Sequence, residues 1–158
     1  MDKINIICVD DEREVLDAVR RDLEVFESLF NIEECESAYE CLELLEEFDA
    51  QQEYVGVIIS DQVMPEMSGV ELLTKVAADR RFLGTKKLLL TGLATQDDTI
   101  KAINNAKIDN FLEKVWQPEE LIQTIKELLT EYIIEKGIDY EPYSDNLDAP
   151  TLYRLINN

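Results

Sequence analysis

Short β-branched runs alternate with longer stretches of helical period along this chain, and two of the runs end in acids. Ile4-Asn5-Ile6-Ile7-Cys8-Val9 stops at Asp10-Asp11, and Val55-Gly56-Val57-Ile58-Ile59 stops at Ser60-Asp61. A second short strand is expected near Asn31 to Cys35. A fourth spans Lys87 to Leu90 and runs into Thr91-Gly92, and a fifth spans Ile108 to Leu112 and reaches Lys114. The intervening segments carry apolar residues three and four apart: Leu16, Val19, Leu23 and Phe26, then Cys41, Leu42, Leu45 and Phe48, then Val70, Leu73, Val76 and Ala77. A weakly apolar fourth helix follows Thr91, and the last helix has the longest stripe, from Leu121 through Ile125 and Leu128 to Ile133.

Helix boundaries are also written into the chain. Ser37 with Glu40, and Thr95 with Asp98, have capping-box spacing, and Ser68 can cap the third helix. Pro118 suits a first helical turn, and Gly137 suits a left-handed stop. The stretch from Ser37 to Tyr54 is long and predicts an extended second helix or loop.

Strands joined through helices run parallel and need cover on both faces. With right-handed crossovers the expected fold is α/β: a flavodoxin-like, doubly wound, five-stranded parallel sheet of order 2-1-3-4-5. Residues 1–136 are expected to form this domain and residues 137–158 a C-terminal tail, with Pro150 opening a short helix. Tyr140, Tyr143, Leu147, Leu152, Tyr153, Leu155 and Ile156 make that tail more apolar than a free linker needs. Packing on the domain's own surface, a dimer contact, a docking segment and a linker to a further domain all remain open.

In such sheets a site forms beyond the carboxyl ends of the strands, where the first and third diverge. Asp10, Asp11, Asp61, Thr91 and Lys114 all fall at that rim. Three converging carboxylates repel one another unless a cation neutralises them. Mg²⁺ (or Mn²⁺) is the economical choice, held directly by Asp11 and Asp61, through water by Asp10, and by the backbone carbonyl of Val63. Asp61 can then attack a phosphorus in line, with Lys114 and the Thr91 hydroxyl meeting the phosphoryl oxygens and Gly92 leaving room for close approach. Singly, each residue reads as a loop acid, a cap or a surface lysine; together at one rim they read as a site.

Composition narrows the alternatives. The formal charge of −20 disfavours direct contact with nucleic acid or an anionic membrane surface. The chain has no histidine, which excludes His-based triads and histidine-ligated zinc. Cys8, Cys35 and Cys41 form no CxxC pair and point to a reduced protein; with no signal peptide and no long apolar run, the expected location is cytoplasmic.

The segments Ile7-Cys8-Val9-Asp10-Asp11-Glu12, Ser60-Asp61-Gln62-Val63-Met64-Pro65-Glu66-Met67-Ser68-Gly69, Leu90-Thr91-Gly92 and Phe111-Leu112-Glu113-Lys114 resemble receiver domains of bacterial response regulators. The resemblance covers residues 1 to about 136. It implies Asp61 as phosphoacceptor, Asp10 and Asp11 as the metal site, Thr91 and Lys114 as phosphoryl contacts and Phe111 as the switch aromatic. It further implies a histidine kinase or histidine phosphotransfer protein as donor, with no turnover of an external substrate. The switched surface would lie on the fourth helix, fifth strand and fifth helix, and the fourth-helix face is where homodimerisation on activation is expected.

One departure is Val115, where the family usually has proline, often after a cis bond. A non-proline cis bond costs about 2.5–4 kcal/mol, so a trans bond or a rare strained cis bond is expected. Val63 and Leu93, each two residues past a site residue, would hinder an attacking water and prolong the phosphorylated state.

Three other readings are weaker. An aspartyl-phosphate hydrolase needs a second acid two residues after its nucleophile, where Val63 stands. A flavin or nucleotide binder needs a glycine-rich or hydroxyl-bearing first loop, not Asp10-Asp11-Glu12. A pseudo-receiver serving only as an interaction module would not need the full set of Asp, Thr and Lys.

Overall fold

The fold is seen in a computed structural model that describes residues 2–92 and 104–157. The elements are β1 (Ile4–Val9), α1 (Arg13–Asp22), β2 (Asn31–Cys35), α2 (Ala38–Ala50), β3 (Tyr54–Asp61), α3 (Gly69–Ala78), β4 (Lys86–Thr91), β5 (Asn110–Glu113), α4 (Pro118–Lys136) and α5 (Ala149–Ile156). The strands form one parallel sheet of order β2-β1-β3-β4-β5, the expected topology.

Strand alternation splits the core into two layers. Ile6 and Cys8 of β1 and Val57 and Ile59 of β3 face α1 and α4. Ile7, Val9 and Ile58 face α2 and α3. Both faces are covered, so β1 and β4 are buried along their whole length and β3 at every residue but its first.

The local signals act largely as read. The Ser37 and Ser68 hydroxyls accept from the Glu40 and Glu71 amides, each at 3.1 Å. Glu40 reaches back to the Glu36 amide at 3.1 Å, one residue earlier than a standard capping box. Gly137 closes α4 at φ 77°, a left-handed conformation that glycine adopts without a Cβ penalty. The long second segment is an extended helix, α2.

Some boundaries differ. The first amphipathic stripe does not form one helix: α1 stops at Asp22, and Leu23–Phe26 tighten into a 3₁₀ turn that still buries Leu23 and Phe26. The fifth strand begins at Asn110 rather than Ile108; just before it, the Asp109 carboxylate accepts from the Lys87 amide at 2.8 Å and the Asp109 amide donates to the Lys87 carbonyl at 2.9 Å. The Thr95–Asp98 cap of the expected fourth helix, and Leu93, lie outside the described residues, whereas residues 104–106 are helical and Ala106 is buried.

The tail folds back on the molecule. Tyr143 is 1 % exposed and packs its ring 5.3 Å from that of Phe30, while Ile138 and Leu147 join the α1–α4 core layer. Pro150 opens α5 within its first turn.

Candidate functional site

β1 and β3 are neighbours in the sheet, so their carboxyl ends deliver Asp10, Asp11 and Asp61 to one place. Each of the three offers a carboxylate oxygen, and these atoms lie within 4.8 Å of one another. Asp10 and Asp61 are 2 % and 4 % exposed, whereas Asp11 is open to solvent.

β5 brings the counter-charge. Lys114, just past its end, places Nζ 2.8 Å from Asp61 Oδ1 and 3.3 Å from Asp10 Oδ2. The Lys114 amide donates to the Thr91 carbonyl at 2.8 Å, which ties the lysine to the end of β4. Thr91 itself is 4 % exposed at the same rim. The Lys114–Val115 peptide is cis.

The electrostatics follow from burial and these contacts. Burial pushes the Asp10 carboxyl above its ordinary pKa; the Glu12 amide, donating to Oδ1 at 2.9 Å, opposes this, and the Asp61 charge adds to it. Burial alone would lower Lys114, but its hydrogen bond to Asp61 and the charges of Asp61 and Asp10 outweigh that and hold it above the ordinary lysine value. The lysine is therefore a fixed cation between two buried carboxylates.

The turn after Asp61 is held by Gln62. Its amide donates to the Leu90 carbonyl at 3.1 Å, its carbonyl accepts from the Gly69 amide at 3.0 Å, and its side-chain oxygen accepts from the Val70 amide at 2.9 Å. Val63, in that turn, is 80 % exposed. Phe111 lies on β5 opposite Leu89 and is 38 % exposed, facing outward.

Two residues carry more than the sequence disclosed. Gly69 follows its cap Ser68 and packs against the end of β3, where a Cβ would overlap the Asp61 carbonyl oxygen and stand 3.0 Å from its carbon. At Gly92 a Cβ would meet nothing among the described residues. In the sequence Gly69 stands out only as the glycine after the Ser68 cap and as the last residue of the segment that begins at Ser60; neither signals its contact with Asp61. Trp116 donates its indole N–H to Asp22 at 2.8 Å, joining the loop after Lys114 to the end of α1; nothing in the local sequence announces that pair.

Chemically, the site offers two buried carboxylates, one open carboxylate, an ammonium and a hydroxyl-bearing residue at one rim. Such a set suits a hard divalent cation and a tetrahedral oxyanion together.

Residues 6–126 match the response regulator receiver domain. The chain is 31% identical over 147 residues to the hydrogenase transcriptional regulatory protein HoxA of Bradyrhizobium diazoefficiens, covering 90% of this chain and 28% of that protein. It is 30% identical over 126 residues to response regulator Rre1 of Synechocystis, covering 80% of this chain and 52% of that one. The chain thus spans only about a quarter of the HoxA proteins it matches. Among solved structures, a CheY-like response regulator receiver domain protein from Methanospirillum hungatei superimposes with a TM-score of 0.71 at 30% identity, covering 85% of this chain and 99% of that one. Sheet order, rim chemistry and sequence relationship agree: this chain belongs to the response regulator receiver domains of two-component signalling.

Proposed function

We propose that this receiver accepts a phosphoryl group on Asp61 from a phosphohistidine donor, with Mg²⁺ at the acid cluster. The observation that carries the reading is the convergence of Asp10, Asp11 and Asp61 beside the Lys114 ammonium. In the transfer a Asp61 carboxylate oxygen forms the new O–P bond while the N–P bond of the donor histidine breaks, and the departing imidazole takes up a proton. Lys114 shifts its pairing from carboxylate to phosphoryl oxygens, and the Thr91 hydroxyl donates to another.

The residues fit the metal. Mg²⁺ is commonly held by one or two carboxylates while keeping several waters, and the exposed Asp11 beside buried Asp10 and Asp61 permits a partly hydrated ion. Asp11, Asp61 and the Val63 carbonyl would hold it, with Asp10 acting through water. When bound, the ion neutralises the carboxylates and the phosphoryl oxygens.

A histidine kinase or phosphotransfer protein has a landing place beside the acceptor. Val15 and Ala18 of α1 face Val115, Trp116 and Pro118 across a groove of about 450 Å³ that also reaches Lys114. Val115 is 95 % exposed there, available to a partner rather than to the core. We further assign residues 1–136 as the phosphoacceptor domain, Phe111 as its switch aromatic and the protein as a signalling acceptor, not a turnover enzyme.

The reading is tested by trapping. Borohydride reduces an acyl phosphate to the alcohol, so peptide mapping after phosphorylation is expected to find homoserine at position 61. Reduction at another acid, or none in a protein that has gained a phosphoryl group, would refute the assignment.

A further inference from the structure

The chain after Gly137 divides into two parts that are held differently. Residues 138–147 form a strap built into the core, where Ile138, Tyr143 and Leu147 are buried and the Tyr143 hydroxyl donates to the Asp2 carbonyl. The helix that follows, α5, fully buries only Thr151 and leaves Tyr153 71 % and Ile156 48 % exposed.

Yet α5 covers a surface. Thr130 lies nine residues on from the core residue Leu121, about 180° around α4, and so points away from the sheet. It is nevertheless fully buried. Its hydroxyl accepts from the Asp148 amide at 2.9 Å, and Gln123 donates to Asp148 Oδ1 at 2.9 Å. Arg154 stands 3.9 Å from Glu131. The Arg154–Glu131 pair is exposed and individually weak.

The hinge carries an unsatisfied group. Asn146 is 5 % exposed and donates to the Val25 carbonyl at 3.1 Å, while its Oδ1 has no partner among the described residues. A buried oxygen without a donor raises the energy of the closed tail. Leu147 and Asp148, the next two residues, are in extended conformations between two helical segments.

Asn146 also stands at the end of a path from the acid cluster. Asp61 holds Lys114; two residues later Trp116 holds Asp22, the last residue of α1; Asp22 enters the 3₁₀ turn that carries Val25, the partner of Asn146. We propose that α5 is a hinged cover on α4, opening about Asn146–Asp148, and that loading Asp61 with a phosphoryl group favours the open form by drawing on Lys114 and Trp116. The coupling rests on the reading of Asp61 as acceptor; the cover does not.

Hydrogen exchange on the full chain tests both, with phosphoryl loading by acetyl phosphate and Mg²⁺ followed by intact mass in the same samples. Without loading, amides of 151–156 are expected to exchange at least roughly tenfold faster than those of 125–133, as local opening requires. Loading is expected to accelerate 151–156 severalfold and leave 125–133 unchanged. Asp22→Ala, which removes the acceptor of the Trp116 indole N–H and leaves the ring in place, is expected to retain the mass gain and lose the acceleration. Exchange of both helices at one common rate would overturn the cover. Loaded protein with unchanged 151–156 would overturn the coupling. A failure to load would overturn the reading of Asp61 and the coupling with it, leaving the unloaded comparison to decide the cover.

Discussion

Gly69 lies directly over the Asp61 carbonyl, so close that any side chain at position 69 would collide with the Asp61 backbone. The obstacle is main chain rather than a movable side-chain end, and the first turn of α3 sits against the end of β3 for that reason. Gly69→Ala is therefore expected to destabilise the fold by about 1–3 kcal/mol, the usual range for overpacking, despite alanine's better helix propensity. Denaturant unfolding measures it; an unchanged or raised midpoint would show that β3 and α3 separate freely. Gly92→Ala, with no described neighbour in the way, is the matched control.

Lys114 is the cation that makes two buried carboxylates tolerable side by side. Lys114→Met leaves Asp10 and Asp61 facing each other uncompensated, which is expected to cost about 1–3 kcal/mol in metal-free buffer. Mg²⁺ then has more charge to neutralise, so thermal melts should show a larger Mg²⁺-dependent rise for the variant than for the wild type. Equal rises would mean that the lysine does not share the carboxylates with the metal.

Much of this site was legible in the sequence because its parts sit at strand ends. Asp10, Asp11, Asp61, Thr91 and Lys114 each follow an apolar run, and parallel topology sends every such end to one rim. Sheet order followed from the same alternation. What stayed hidden depends on tertiary approach: the Gly69–Asp61 contact, the Trp116–Asp22 bond and the burial of Thr130 join segments whose own sequences contain no trace of the partner. The split of the first helix at Asp22 was hidden for a related reason, since a 3₁₀ turn buries Leu23 and Phe26 as well as a continued helix would.

Asp148 caps α5 and should make the tail sensitive to acid. Burial opposes its ionisation, but the hydrogen bonds from Thr151 and Gln123 and the charge of Lys126 outweigh this and hold its pKa below the ordinary aspartate value. The unfolded chain therefore binds this proton more readily than the folded one. The contribution is complete above about pH 4, the unfolded value, and is lost as pH falls through the lower folded value. Asp148→Ala is expected to cost about 0.5–2 kcal/mol at neutral pH, as loss of a cap does, with the difference from wild type shrinking below about pH 4. A difference that grew on acidification would contradict this assignment.

Val63 stands in the turn after Asp61 with its side chain open to solvent. If it hinders the approach of a hydrolytic water, Val63→Asn will shorten the half-life of the phosphorylated protein severalfold without altering the extent of initial loading. The decay of the phosphorylated mass after removal of acetyl phosphate gives that half-life directly, and an unchanged decay would remove Val63 from the account.

The central claim is that Asp61 is the acceptor and that its phosphorylation needs the metal. Intact mass after incubation with acetyl phosphate, with and without Mg²⁺, on wild type and Asp61→Asn, tests it most directly. The account predicts a gain of one phosphoryl group in the wild type with Mg²⁺ and none in Asp61→Asn or after chelation. A wild type that gains nothing under any condition, or an Asp61→Asn protein that loads as well as wild type, would contradict it.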